Sequence, residues 1–183
     1  DPKAGVIRLV YGLGTRAVDR VDDDYTRVVA LNAPLRRPEP DFEEVCRHSQ
    51  RRVDVIDLKA DDLRSCWFDD LLGDVREAPI DLFTSLDEQA LRQGRTHRIL
   101  TFDRLLTETG FVDDMREVLH ALETAYARPV DVEFAVNFID SRQYRINLLQ
   151  CRPLHVQGTH TPDMPRLNIA ADEALLLSQG AVV

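Results

Sequence analysis

No apolar run in this sequence approaches the ~20 residues that span a bilayer, and its start lacks the apolar stretch of a secretion signal. A membrane-embedded chain is therefore not expected. Cysteine is scarce as well. Cys46, Cys66 and Cys151 are an odd, scattered set with no CxxC pair, which argues against a zinc site or a disulfide framework and for a reducing, cytoplasmic setting. Positive charge is also short, 23 Lys and Arg against 32 Asp and Glu, for a net charge of -9. A nucleic-acid partner, which needs a basic face, is excluded on that balance. ATP is not, because a few local residues and a metal can supply the positive charge. Internal repeats and low-complexity segments are missing too.

What is present is ordinary for a water-exposed globular domain: 183 residues, 44% hydrophobic and 30% charged, enough for one domain with a sizeable core. The chain starts at Asp1 without an initiator methionine and closes on Gly180-Ala181-Val182-Val183, so it reads as a piece of something longer.

Gly5 to Val10 reads as a strand running into a turn at Gly12-Leu13-Gly14, and Thr26 to Leu31, rich in β-branched residues, reads as a second strand. Three prolines between residues 33 and 41 rule out a helix or central strand there. Val53 to Leu58 alternates apolar residues with Asp, as a half-solvated strand does. Asp61-Asp62 then supplies an N-cap and first-turn charge for a helix predicted to reach Leu72. Residues 73–97 carry no clear pattern. Further on, Met115, Val118, Leu119, Leu122 and Tyr126 form the stripe of an amphipathic helix, with Asp113 and Asp114 in its first turn and Arg128-Pro129 ending it. Two strands follow, Val130 to Ile139 and Tyr144 to Leu154, joined by Asp140 to Gln143. Gln157 to Pro165 reads as a linker.

That last hairpin carries the chemistry. Val130, Val132, Phe134, Val136 and Phe138 alternate with Asp131, Glu133, Ala135 and Asn137, so one face is apolar and the other bears two carboxylates and an amide. A simple register with Ile139 opposite Tyr144 sets Glu133 across from Gln150 and Asp131 across from Arg152. Opposed residues have Cβ atoms about 4.5–5.5 Å apart. At that spacing a carboxylate and an amide oxygen can share one magnesium ion, whose other ligands are water and phosphate. Arg152, one step along the face, is placed to fork onto a phosphate oxygen. The plain alternative is a solvated strand face with a salt bridge.

Ala125 to Phe134 followed by Leu148-Leu149-Gln150-Cys151-Arg152-Pro153 resembles the end of the ATP-grasp, PEP/pyruvate-binding domain of the phosphoenolpyruvate synthase and pyruvate phosphate dikinase family. The resemblance implies that Glu133 and Gln150 bind the nucleotide's magnesium. It also implies that Arg152 contacts the terminal phosphates, with a catalytic role, and that Asp131 lies in the nucleotide site. Tyr11-Gly12-Leu13-Gly14 with Ala17-Val18 resembles the family's Gly-Leu-Gly-Glu segment, which puts Gly12 and Gly14 at the nucleotide; Thr15 stands where the family carries glutamate.

The expected fold is therefore α+β, an ATP-grasp-like C-terminal lobe with an antiparallel sheet and packed helices over residues 1–156. A linker and the start of a following element would occupy 157–183. The resemblance implies that the intact protein passes phosphate from ATP to a carrier histidine and on to pyruvate, giving phosphoenolpyruvate. The phosphate-gripping N-terminal lobe and the phosphohistidine domain would lie outside this chain. His48, His97, His120, His155 and His160 lack the Gly-rich, Cys-containing setting of that carrier, and none is assigned a catalytic role. Two rival readings stand beside this one: a module that binds nucleotide without transferring phosphate, and a plain interaction domain.

Overall fold

Short alternating segments set up four antiparallel strand pairs, and a computed structural model describes residues 4–18, 24–73 and 78–154. β1 (Val6–Leu9) pairs with β2 (Arg27–Ala30), with Ile7 opposite Val29. Alternation turns Ile7, Leu9 and Val29 inward and leaves Val6 and Val28 exposed. Between these strands lies a single helical turn, α1 (Thr15–Val18). The proline-bearing segment after β2 forms turns, as its composition requires. α2 (Phe42–Arg47) begins where the Asp41 side chain accepts from the Glu44 N–H, with Glu43 and Glu44 in its first turn.

β3 (Arg52–Asp57) and β4 (Asp62–Trp67) form a hairpin, so the helix expected to start at Asp61 is absent. The physical reason lies in the turn. The Asp57 carboxylate accepts from the Lys59 and Ala60 N–H groups, and Asp61 takes a left-handed φ of 51°. The chain is thereby reversed, and Leu63 to Trp67 is committed to pairing with β3. Only after the strand does helix begin, as the single turn α3 (Phe68–Leu71).

The segment that lacks a sequence pattern contains short elements: α4 (Ile80–Phe83), β5 (Thr84–Leu86) and α5 (Glu88–Arg92). β6 (Arg98–Leu100) pairs with β5. α6 (Asp103–Glu108) leads into α7 (Phe111–Tyr126), the expected amphipathic helix. Its first turns bury Phe111, Val112 and Met115; Leu119 packs against the core, and Tyr126 is exposed. His120 faces solvent. Ala127, at a φ of 53°, stops the helix just before Arg128 and Pro129. β7 (Val130–Phe138) and β8 (Tyr144–Pro153) complete the fold.

Phe83 is the centre of the core. Its ring lies 5.3 Å from that of Tyr11, 6.2 Å from Phe102 and 4.9 Å from Phe138. The fold is α+β, with small antiparallel sheets and packed helices, in keeping with part of an ATP-grasp-like lobe. The described residues up to Pro153 belong to one compact unit. The expected linker at 157–165, with His155 and His160, lies outside the described residues.

Candidate functional site

The hairpin of β7 and β8 holds four of the six residues singled out from the sequence. Asp140 shapes its loop by accepting from the Arg142 and Gln143 N–H groups, which holds its own carboxyl below the usual range. Pairing then starts at Phe138 opposite Tyr144. This is one residue away from the simple register, which set Ile139 against Tyr144, and packing explains the difference. Phe134, Val136 and Phe138 must share a face with Tyr144 and Ile146, because all five pack against the core. A one-residue slip would turn half of them outward.

With that core-dictated register running the whole length, Gln150 would share the face of Leu148 and point away from Glu133. A β-bulge intervenes between Glu133 and Phe134 on one side and Leu148 and Gln150 on the other, with Leu149 as the extra residue. Beyond it Glu133 stands opposite Gln150, and Asp131 opposite Arg152. The expected juxtaposition is present, but it depends on an irregularity that the simple register does not contain. Glu133 is half-buried, whereas Gln150 and Arg152 are exposed.

Asp131 and Arg152 form an ion pair, with Nη2 and Nε of Arg152 at 2.7 and 2.9 Å from Asp131 Oδ2. The hydrogen bond and the charge of Asp131 raise the pKa of Arg152 above its ordinary value. Two of the five guanidinium donors are thus engaged by a strand neighbour. Among the described residues there is no group of three or more His, Cys, Asp or Glu side chains able to hold a metal. A resident, all-protein metal cage does not fit these residues. A magnesium ion carried by nucleotide phosphates does, since it needs only one or two protein oxygens, and Glu133 with Gln150 offers that donor set.

The glycine turn is built differently. Gly12 has a φ of 94°, and a Cβ there would sit 2.4 Å from Val53 Cγ1 and 2.7 Å from the Asp54 carbonyl oxygen. Only glycine lets the turn lie this close to β3. Leu13 N–H donates to the Asp54 carbonyl at 2.9 Å. Buried Gln50 clamps the preceding residue from both sides, accepting from Tyr11 N–H at 2.7 Å and donating to the Tyr11 carbonyl at 2.9 Å. Gly14 has open space where a side chain would be.

Below the turn, Thr15 donates to Asp54 Oδ2 at 2.7 Å, and Arg16 Nε donates to Oδ1 at 3.1 Å. Arg16 also reaches Ser65 at 2.8 Å and lies 3.8 Å from Asp24. Burial alone would raise the Asp54 carboxyl, but Thr15, Ser65 and Arg16 outweigh it and hold the group below its ordinary value. Asp24 in turn accepts from the Arg51 and Arg52 N–H groups. Gln50, Asp54 and Asp24 went unrecognised in the sequence because their partners lie 27 to 39 positions away. No short motif marks them. Both chemically marked segments meet the same core, through Tyr11 and Phe138 on Phe83. No hydrogen bond or ion pair among the described residues joins the turn Tyr11–Gly14 to the polar face of the hairpin.

Fold and site together define an α+β domain that presents two carboxylates, an amide and a guanidinium on a bulged hairpin. The match to known families is specific: the model of the pyruvate phosphate dikinase AMP/ATP-binding domain covers residues 1–171. The chain belongs to that family. No curated protein and no solved structure matches it.

Proposed function

We propose that this chain is the C-terminal, cation- and phosphate-binding lobe of an ATP-grasp domain, spanning residues 1–156, in a cytoplasmic phosphotransferase. The observation that carries the reading is the bulge-restored pairing of Glu133 with Gln150 beside Asp131 and Arg152. In this reading, Glu133 and the Gln150 amide oxygen hold the magnesium of Mg-ATP. When bound, the ion neutralises phosphate charge. Arg152 exchanges its Asp131 partner for a phosphate oxygen, with Asp131 keeping the guanidinium oriented until then. The turn at Gly12 and Gly14, with open space above Gly14, lets backbone N–H groups approach the nucleotide. In the intact protein, the phosphoryl group passes from ATP to a carrier histidine and then to pyruvate. Positioning and charge stabilisation do most of the catalytic work.

The Asp131–Arg152 pair also favours a second reading, in which the arginine stays with its strand partner and the domain binds nucleotide without transferring phosphate. Glu133→Gln and Arg152→Lys in the intact protein separate the two. Glu133→Gln removes one charge while nearly keeping shape. Arg152→Lys loses the bidentate fork. Phosphoryl transfer is expected to fall by at least about 100-fold in each, roughly 2.7 kcal/mol of barrier, with melting temperatures near wild type. Full transfer activity in both variants would dispose of the catalytic assignment. Nucleotide binding by a wild type that transfers nothing would leave the second reading.

A further inference from the structure

β1 ends at Leu9, and the chain then runs through Tyr11 into the turn at Gly12-Leu13-Gly14. Glycine has more backbone conformations to lose than any other residue, so such a turn is loose unless something outside it fixes it. Gln50 is placed to do so. It is 4% exposed. Its Oε1 accepts from the Tyr11 N–H at 2.7 Å. Both Nε2 donors are engaged as well, one by the Tyr11 carbonyl at 2.9 Å and one by the Arg52 carbonyl at 2.7 Å. The side-chain amide thus pairs with Tyr11 as a neighbouring strand would, and ties it to the start of β3.

The base of this clamp is itself held. Gln50 forms a β-bridge with Leu100. The next two N–H groups, of Arg51 and Arg52, donate to Asp24, whose side chain is 3% exposed. On the far side of Gly12, the Leu13 N–H donates to the Asp54 carbonyl and the Thr15 hydroxyl to the Asp54 carboxylate. The turn is therefore pinned before and after Gly12. Gly12 and Gly14 themselves are exposed, and their N–H groups donate to no described residue. A turn fixed from outside presents those donors already in place, without an ordering cost when a ligand arrives.

We infer that Gln50 is a positioning residue for nucleotide: by holding Tyr11 it fixes the Gly12-Leu13-Gly14 turn in the shape that receives the ligand, and so sets affinity for it. This role rests on the reading that the turn meets the nucleotide. Tyr11 needs an acceptor and a donor side by side in one plane. A primary amide supplies both, a carboxylate supplies only acceptors, and a protonated carboxyl again supplies one of each. Methionine fills the same length and supplies neither.

Calorimetric titration of the intact protein with Mg-ATP tests the role, with Gln50→Met, Gln50→Glu and Glu133→Gln compared with wild type at about pH 9 and about pH 6, either side of the range in which a buried carboxyl titrates. Gln50→Met removes every amide contact and adds no charge, and is expected to bind about 10-fold or more weaker at both values. Gln50→Glu should be as weak at high pH and recover most of the wild-type affinity at low pH, where the protonated acid restores an acceptor and a donor. Melting curves identify the variants folded under assay, and Gln50→Glu at low pH keeps the test open if Gln50→Met does not fold. Wild-type affinity in a folded Gln50→Met, or no recovery of Gln50→Glu at low pH, would overturn the role of Gln50. Beside such a result, lost Mg-ATP affinity in Glu133→Gln would leave the hairpin site standing, whereas wild-type affinity in all three variants would reject the underlying reading too.

Discussion

Gly12 and Tyr144 are the residues whose physics is most exposed to test. At a φ of 94°, with Val53 Cγ1 and the Asp54 carbonyl within 2.7 Å of any added Cβ, Gly12→Ala must both strain the backbone and push the turn off β3. A loss of about 1–3 kcal/mol is expected, read as a lower denaturation midpoint, while Gly14→Ala, with open space around it, should be far milder. Tyr144 donates to the Asp114 carboxylate. Burial first, and then Asp114, push its hydroxyl up to about 12 from 10.0. A folded-state pKa raised above the unfolded one gives stability that is complete below the unfolded value and lost as pH climbs through the folded value. Stability should therefore decline between pH 10.0 and about 12. Tyr144→Phe should lose about 1 kcal/mol near neutrality and show a shallower alkaline decline; urea titrations across that range would reveal an unchanged slope if the account is wrong. Asp54 works in the opposite direction. Its depressed pKa gives stability present above the unfolded value and lost on acidification through the folded one.

Among the elements, β3 and β7 lie where alternation of apolar and polar residues places them, β2 lies in the segment rich in β-branched residues, and β1 and β8 fall within the segments read as strands. α7 follows from its stripe. The helix expected from Asp61 failed because Asp61 and Asp62 look the same as an N-cap or as the far side of a tight turn. The deciding contact, Asp57 with Lys59 and Ala60 N–H, depends on chain reversal rather than local propensity. The short elements between Ile80 and Leu100 gave no pattern because three to five residues hold too few periods to be read. The site was half legible. Glu133 and Gln150 were paired correctly, but the bulge beneath them answers a conflict between core and polar face that emerges only when both strands are packed. This reading makes a deletion test. Removing Leu149 takes out the extra residue, so Glu133 and Gln150 should stay opposed, with nucleotide binding and folding retained. Removing Ala135 turns Phe134 away from the core and should lower stability by about 2 kcal/mol or more. Equal tolerance of both deletions would contradict the role given to the bulge.

At the scale of the whole molecule, a net charge of -9 means that an anionic nucleotide gains nothing from the overall field and must be held locally. Arg152 and a hard cation at Glu133 and Gln150 are the local means proposed for it. No helix among the described residues is long and apolar enough to cross a membrane. If only one lobe of the clamp is present, affinity for Mg-ATP should be weak, because half of the contacts and the enclosure that strengthens them are missing. The central claim, that Glu133 and Gln150 take the nucleotide's cation, is most directly tested with manganese in place of magnesium, since its unpaired electrons broaden nearby nuclear magnetic resonances even when binding is weak. Adding Mn-ATP to the chain should broaden the amide signals of Glu133, Gln150 and their strand neighbours, more strongly than manganese without nucleotide, and Glu133→Gln should abolish the effect. Broadening centred elsewhere, or broadening at the hairpin that survives Glu133→Gln unchanged, would contradict the account.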